Sequence, residues 1–186
     1  MKLSVIRHGE TIENARGIVQ GQLPGELSGR GIVQAQKAAE SIHGQSFDYV
    51  YCSDLKRCVD TAQYLLINHQ DISLVHTSDL REISFGIYQG KHVDEIPDWE
   101  STEGDFYTRQ LPAGETINEF RSRTVRFVNQ LFSRHADDHL LVVTHGGNMR
   151  IIKSVIEGID LWELYQSKPG NCELWEFDVT ELLENS

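Results

Sequence analysis

Leu3-Ser4-Val5-Ile6 runs directly into Arg7-His8-Gly9-Glu10-Thr11, and a second such passage stands at Leu140-Leu141-Val142-Val143-Thr144-His145-Gly146-Gly147. Both open with a short, nearly continuous apolar run, the mark of a strand covered on both faces. Each ends in a histidine followed by glycine, which leaves room for a ligand to approach the backbone. Further strand-like runs lie at Tyr49–Tyr51, Ser73–His76 and Glu173–Val179. Between them the apolar spacing turns helical. Ser28 reads as the N-cap of a helix reaching about His43, with Ile32, Ala35, Ala39 and Ile42 on one stripe. A second helix is expected over Leu55–Ile67. A third follows Thr116-Ile117-Asn118-Glu119, which fits a capping box, and a fourth follows Gly146-Gly147. Strands alternating with helices predict an α/β fold, a three-layer α/β/α sandwich with a mostly parallel central sheet.

The chain has 186 residues, 39% hydrophobic and 24% charged, the profile of one globular domain spanning 1–186. Residues 86–114, with Pro97, Pro112 and many acids, break the rhythm and read as a lid-like insertion. Tyr51, Trp99, Tyr107, Trp162 and Trp175 read as packing residues, with Trp99 and Tyr107 the two whose place in the lid sets them near a ligand. Seventeen Lys and Arg against 28 Asp and Glu give a net charge of −11. That balance opposes nucleic acid and anionic lipid as partners, so an anionic ligand requires a local basic pocket. Three cysteines, Cys52, Cys58 and Cys172, make neither a disulfide framework nor a zinc motif and read as free thiols. With no apolar run long enough for a membrane span or signal peptide, the expected compartment is the cytoplasm.

In open α/β sheets ligands bind beyond the carboxyl ends of the strands. There Arg7-His8 and His145 meet Arg57, which sits in the first turn of the helix after the Tyr49–Tyr51 strand, provided the three strands are neighbours. Guanidinium forks match phosphate oxygens, and an imidazole can attack phosphorus to form a phosphohistidine. Flanking cations keep such an imidazole neutral, with its lone pair available. The leaving alkoxide needs a proton from an acid near the phosphate, where the dianion favours the protonated form. Glu82 in Leu80-Arg81-Glu82-Ile83 is the first choice and Glu10 its rival. The same arginines would repel a metal cation from His8 and His145. His43, His69, His76, His92, His135 and His139 read as surface or boundary residues.

These motifs resemble those of the histidine phosphatase superfamily, in the branch related to cofactor-dependent phosphoglycerate mutase. Arg7-His8-Gly9-Glu10-Thr11 with Asn14 matches its signature; Gly21-Gln22 with Leu27-Ser28 and Gly31 resembles the loop and helix start that follow. Ser53-Asp54-Leu55 with Arg57, Leu80-Arg81-Glu82 with Phe85-Gly86, and Val142–Gly147 are similar to the remaining motifs, in family order. The resemblance implies His8 as the phosphorylated nucleophile and Glu82 as general acid. It implies Arg7, Arg57 and His145 as phosphoryl ligands, with Asn14, Gln22 and Gly146 in support. No metal or other cofactor is implied.

The activity expected is hydrolysis of a small phosphorylated metabolite. Phe85-Gly86 and Pro112-Ala113-Gly114-Glu115-Thr116 are similar to α-ribazole phosphatases, which points to α-ribazole phosphate or a sugar phosphate. Mutase or fructose-2,6-bisphosphatase activity is the alternative, and a phospho-ligand-binding module without turnover is the alternative of another class. Between Lys91 and Gly114, acids Asp94, Glu95, Asp98, Glu100, Glu103 and Asp105 face only Lys91 and Arg109. That excess disfavours a second phosphate. Oligomeric state is not written in the sequence.

Overall fold

A computed structural model describes residues 1–69, 72–96, 106–108 and 110–180. Five strands form one sheet: β1 (Lys2–Arg7), β2 (Tyr49–Ser53), β3 (Leu74–Thr77), β4 (His139–Thr144) and β5 (Leu174–Asp178). Their spatial order is β3-β2-β4-β1-β5. The β1, β2, β3 and β4 pairings are parallel, and only β5 runs antiparallel to β1. The five strand runs read from the sequence are all present, within one or two residues at each end.

The register fixes the site. Arg7 pairs with Thr144 and Cys52 with Val143, so β1, β4 and β2 finish at one level. His8, His145 and Ser53 therefore leave the same edge of the sheet. That edge lies where neighbouring strands send their chains to opposite faces, the position at which open α/β sheets take ligands.

Helices cover both faces. On one side lie α2 (Gly29–Ser41) and α3 (Lys56–Leu65), burying Ala38, Ala39, Cys58, Ala62 and Leu65 against Ile6, Val50, Leu141 and Val143. On the other lie α4 (Ile117–Arg134) and α5 (Gly146–Glu157), burying Phe127, Val128, Leu131, Met149 and Ile152 against Leu3, Val5, Leu140 and Val142. This is the expected three-layer sandwich. Alternate residues of β1 and β4 serve opposite cores, which is why the middle of each strand, apart from Ser4, is apolar on both faces.

The caps are local and legible. Ser28 accepts the Gly31 N–H, and Thr116 and Glu119 close a capping box at the start of α4. Two short helices, α1 (Ile12–Ala15) and α6 (Leu161–Tyr165), fall outside the sequence reading, since neither offers a full period of apolar spacing.

The 86–114 segment starts and ends at one neck. Ile87 N–H donates to Pro112 O at 3.1 Å and Glu115 N–H donates to Ser84 O at 2.9 Å. Within it, Gly86–Tyr88 and Val93–Glu95 are single 3₁₀ turns. Its near side is tied to the 17–22 loop: Val19 donates to Lys91 O at 2.9 Å and Val93 to Gly17 O at 2.8 Å. Trp99, Arg109 and the acids at 98, 100, 103 and 105 lie outside the described residues. No helix among the described residues is long and apolar enough to cross a membrane.

Candidate active site

His8 leaves β1 with its imidazole almost wholly buried, at 3% exposure. Its Nδ1 lies 2.8 Å from Gly9 O, and a carbonyl can only accept, so Nδ1 carries the proton. The lone pair therefore resides on Nε2, which accepts Nε–H of Arg57 at 3.2 Å. Arg57 enters from the first turn of α3 and donates also to Leu23 O at 2.5 Å and Gly21 O at 2.7 Å. His145, the residue that caps α5, packs edge-on against His8 with ring centroids 5.2 Å apart. Its Nε2 meets Ser53 Oγ at 2.8 Å. Arg7 donates to Pro169 O at 2.6 Å, while its Nε is buried without a hydrogen-bond partner among the described residues.

Burial, then the Arg57 and Arg7 charges, push the His8 pKa well below its ordinary 6.5, against the opposing Gly9 hydrogen bond. Burial lowers that of His145 in the same way, with Arg57, His8 and Arg7 adding to it. Both rings are therefore neutral at pH 7. The Cys58 thiol, 3.4 Å from His145 Nε2, is pushed up to about 12 by burial and stays protonated. Two guanidiniums, one imidazole lone pair and a second neutral imidazole thus share one small volume.

Glu82 faces this volume from an irregular stretch after the 3₁₀ turn Ser78–Leu80. Its Oε1 accepts Ile83 N–H at 3.0 Å, and its Oε2 accepts Gly147 N–H, in the first turn of α5, at 3.2 Å. Glycine at 147 leaves room for that carboxylate: a Cβ there would overlap Glu82 Oε1 and lie 2.7 Å from the Phe120 ring. The carboxylate and the His145-Gly146 turn are thereby brought side by side.

One protein-family model, the histidine phosphatase superfamily (branch 1), matches residues 3–182. The chain belongs to that superfamily. It is 33% identical over 164 residues to the adenosylcobalamin/α-ribazole phosphatase of Escherichia coli, covering 86% of this chain and 80% of that protein. It is 32% identical over 158 residues to a metal-independent phosphoserine phosphatase of Arabidopsis thaliana, covering 81% of this chain and 66% of that protein. Among solved structures, the α-ribazole phosphatase from Shigella flexneri superposes with a TM-score of 0.85 at 28% identity, covering 96% of this chain and 90% of that one. The chain is an enzyme of the phosphatase class.

The other residues expected in this histidine phosphatase site are placed as follows. Gly146 opens α5 beside Arg7, whose Nε would lie 3.6 Å from a Cβ at that position. Gln22 donates to Glu82 O at 3.3 Å and Glu115 Oε2 at 3.4 Å, so it reaches the acid loop. Asn14 uses its side-chain oxygen to accept Thr11 N–H at 3.2 Å, capping α1. Glu10, the rival acid, is occupied elsewhere: it accepts Ser28 Oγ–H at 2.8 Å and pairs with Arg30 at 3.6 Å. Tyr107 donates to Asp160 Oδ1 at 2.8 Å and packs on Phe106, which makes it a packing residue.

Two readings change. Gly9 does not open space for a ligand; a Cβ there would sit 2.7 Å from Gly31 O, so the glycine lets α2 press against the His8 turn. His135 is buried rather than at a boundary, bonded to Tyr51 Oη at 2.8 Å and Asp138 at 2.7 Å. Gly147, Ser53, Arg123 and Glu115 join the site's surroundings without having been singled out as site residues. Their signals were a second glycine, a strand-end serine, an Arg among several on α4 and the acid of Pro112-Ala113-Gly114-Glu115-Thr116.

Proposed function

We propose that the chain is a metal-independent phosphomonoesterase acting through a phosphohistidine on His8. The lone pair fixed on His8 Nε2 carries this reading. The substrate phosphoryl group takes the place of that nitrogen as Arg57's partner, with Arg7, His145 and the Gly146 N–H around its oxygens. Nε2 attacks phosphorus as the P–O bond to the leaving group breaks, and Glu82 gives that oxygen its proton. Glu82 then takes a proton from water, the hydroxyl oxygen attacks phosphorus, and the P–N bond breaks to release inorganic phosphate. The arginines and the amide end of α5 stabilise the equatorial oxygens, the main source of rate enhancement in phosphoryl transfer.

A small monoester with an uncharged body is the substrate class, with α-ribazole phosphate and sugar monophosphates as its first members. Arg81 holds Asp54 through two bonds of 2.7 and 2.6 Å, Arg123 holds Glu115, and Arg150 holds the Gly146 and Tyr165 carbonyls. These engagements leave little for the second anion of a bisphosphate or phosphoglycerate. The test is a panel of monoesters and bisphosphates ranked by kcat/KM, with and without a chelator. Turnover lost with chelator would refute the metal-free route, and bisphosphate-primed isomerisation of phosphoglycerate would make the protein a mutase. His8→Ala should abolish both turnover and an acid-labile phosphoenzyme; binding without turnover in the unmodified protein would leave only a phospho-ligand module.

A further inference from the structure

Glu82 lies outside any helix or strand, yet a proton donor tolerates misplacement of only about 0.5 Å. Something must hold the segment, and the local chain does not. Four successive carbonyls, Asp79 to Glu82, instead find partners from the surrounding elements. Arg123, on α4, donates to Asp79 O at 3.0 Å, Arg81 O at 2.6 Å and Glu82 O at 2.8 Å. Its remaining two bonds go to Glu115, from Nε to Oε1 at 2.9 Å and from Nη2 to Oε2 at 3.0 Å. A guanidinium has five N–H groups, and all five are spent here. Thr144 Oγ supplies Leu80 O at 3.0 Å. Asn148, with its amide oriented to satisfy both ends, adds donors to Leu80 O and Arg81 O at 3.2 Å.

Glu115 completes the grip from the other direction. Its Oε2 accepts Ser84 N–H at 2.8 Å, so one ion pair fixes the chain on both sides of Glu82. Burial works against the charge on Glu115, but Arg123 and the Ser84 amide outweigh it and hold its pKa below the carboxylate range. The guanidinium is also stacked over the Phe120 ring at 4.7 Å, which fixes its plane. Glu115 stands at the neck of the 86–114 segment, so the acid's position is tied to how that segment is closed at its base.

We propose that Arg123 and Glu115 form one positioning unit for Glu82, setting where the proton is delivered without touching substrate. This rests on the reading of Glu82 as the proton donor. A half-buried ion pair such as this contributes little net stability, so stability alone does not explain a five-bond guanidinium at this place. Lysine retains the charge but offers three donors without the planar fork.

The experiment compares two esters in Arg123→Lys, Glu115→Gln and Glu82→Gln. Phenyl phosphate needs a proton on its leaving oxygen, whereas dinitrophenyl phosphate expels a stable phenolate. Arg123→Lys and Glu115→Gln should each lower kcat/KM for phenyl phosphate by roughly tenfold to a hundredfold, the loss expected of a misplaced catalytic group. The kcat/KM for dinitrophenyl phosphate, which ends at loss of the leaving group and so omits Glu82's later work on water, should change by less than about threefold, and neither substitution should add to Glu82→Gln. Equal losses on both esters, no loss, or losses additive with Glu82→Gln would overturn the proposal. So would failure of both positioning variants to fold, which would assign the pair to stability. If Glu82→Gln itself fails to separate the two esters, the proton-donor reading falls; if it separates them and Arg123→Lys does not, only the positioning unit falls.

Discussion

Gly147→Ala sets what the fold tolerates against what the chemistry requires. Replacing glycine inside a helix by alanine stabilises by about 1 kcal/mol. Against that, the new Cβ would sit 2.7 Å from Phe120 Cε1 and closer still to Glu82 Oε1. Crowding of this kind costs roughly 1–3 kcal/mol when the neighbours are side chains that can yield. The difference is a net loss of about 0–2 kcal/mol, and for a chain of this size each kcal/mol moves Tm by only about 2–4 °C. Function has no such compensation. The carboxylate must retreat by on the order of 1 Å, breaking the Gly147 contact, and displacement of that size lowers rate by about a hundredfold. The assay is kcat/KM for phenyl phosphate alongside thermal unfolding, with Gly29→Ala as control, since nothing lies within 4 Å of a Cβ there. A Gly147→Ala enzyme that hydrolyses phenyl phosphate at the parent rate would refute the location of the acid.

Three further outcomes are expected. The depressed His8 pKa keeps Nε2 unprotonated below pH 6.5, so kcat/KM should show no acid limb at or above 6.5; an inflection there would show a ring that titrates normally. The same depression in His8 and His145 makes the unfolded chain bind protons first. Their contribution to stability is thus complete above 6.5 and declines below it, by up to about 1.4 kcal/mol per unit for each ring, and a Tm independent of pH from 7 to 5 would contradict this. Arg57→Lys removes the donor to His8 Nε2 and the fork onto Gly21 and Leu23. It should lower kcat/KM by about 10²–10³-fold and weaken inhibition by vanadate, with parental kinetics as the contrary result. Phe106→Ala removes a fully buried ring wedged against Trp162 and Tyr165; it should destabilise by about 3–5 kcal/mol in chemical denaturation, and a change under about 1 would show that the ring is not load-sharing.

The sandwich was legible because its signals are local: β1 and β4 are apolar on both faces, and Ser28 and Thr116 announce their helices within four residues. The convergence of Arg7, His8, Arg57 and His145 was legible for a different reason. Arg7 ends β1, His8 and His145 follow β1 and β4 directly, and Arg57 opens the helix after β2; neighbouring parallel strands bring such positions together whatever lies between. Glu82 required more, because its chain has no element to fix a direction. Glu10 was a fair rival until Ser28 and Arg30 were seen to hold its carboxylate. Arg123 was illegible: α4 carries four arginines, and only tertiary packing reveals which one faces the acid loop. Gly9 was misread because its close neighbour, Gly31, lies far off in sequence, although a glycine in the first turn of α2 was itself a signal of close backbone approach.

The arginines themselves show how a chain of net charge −11 can hold an anion. Arg81 and Arg123 hold the carboxylates of Asp54 and Glu115. Arg7 and Arg57 are treated differently: among the described residues neither forms an ion pair, and their hydrogen bonds go to Pro169, Gly21 and Leu23 carbonyls and to the His8 lone pair. Neutral acceptors satisfy hydrogen bonds but do not cancel charge. Burial disfavours a cation left in that condition, and both guanidinium pKa values are lowered accordingly. The resting site thus carries uncancelled positive charge in a place with little water to screen it. A phosphate dianion would relieve that imbalance on entry, so in the proposed function the attraction arises locally, against the sign of the net charge. A second anion drawing on Arg81 or Arg123 would find no such imbalance, because those guanidiniums already hold Asp54 and Glu115.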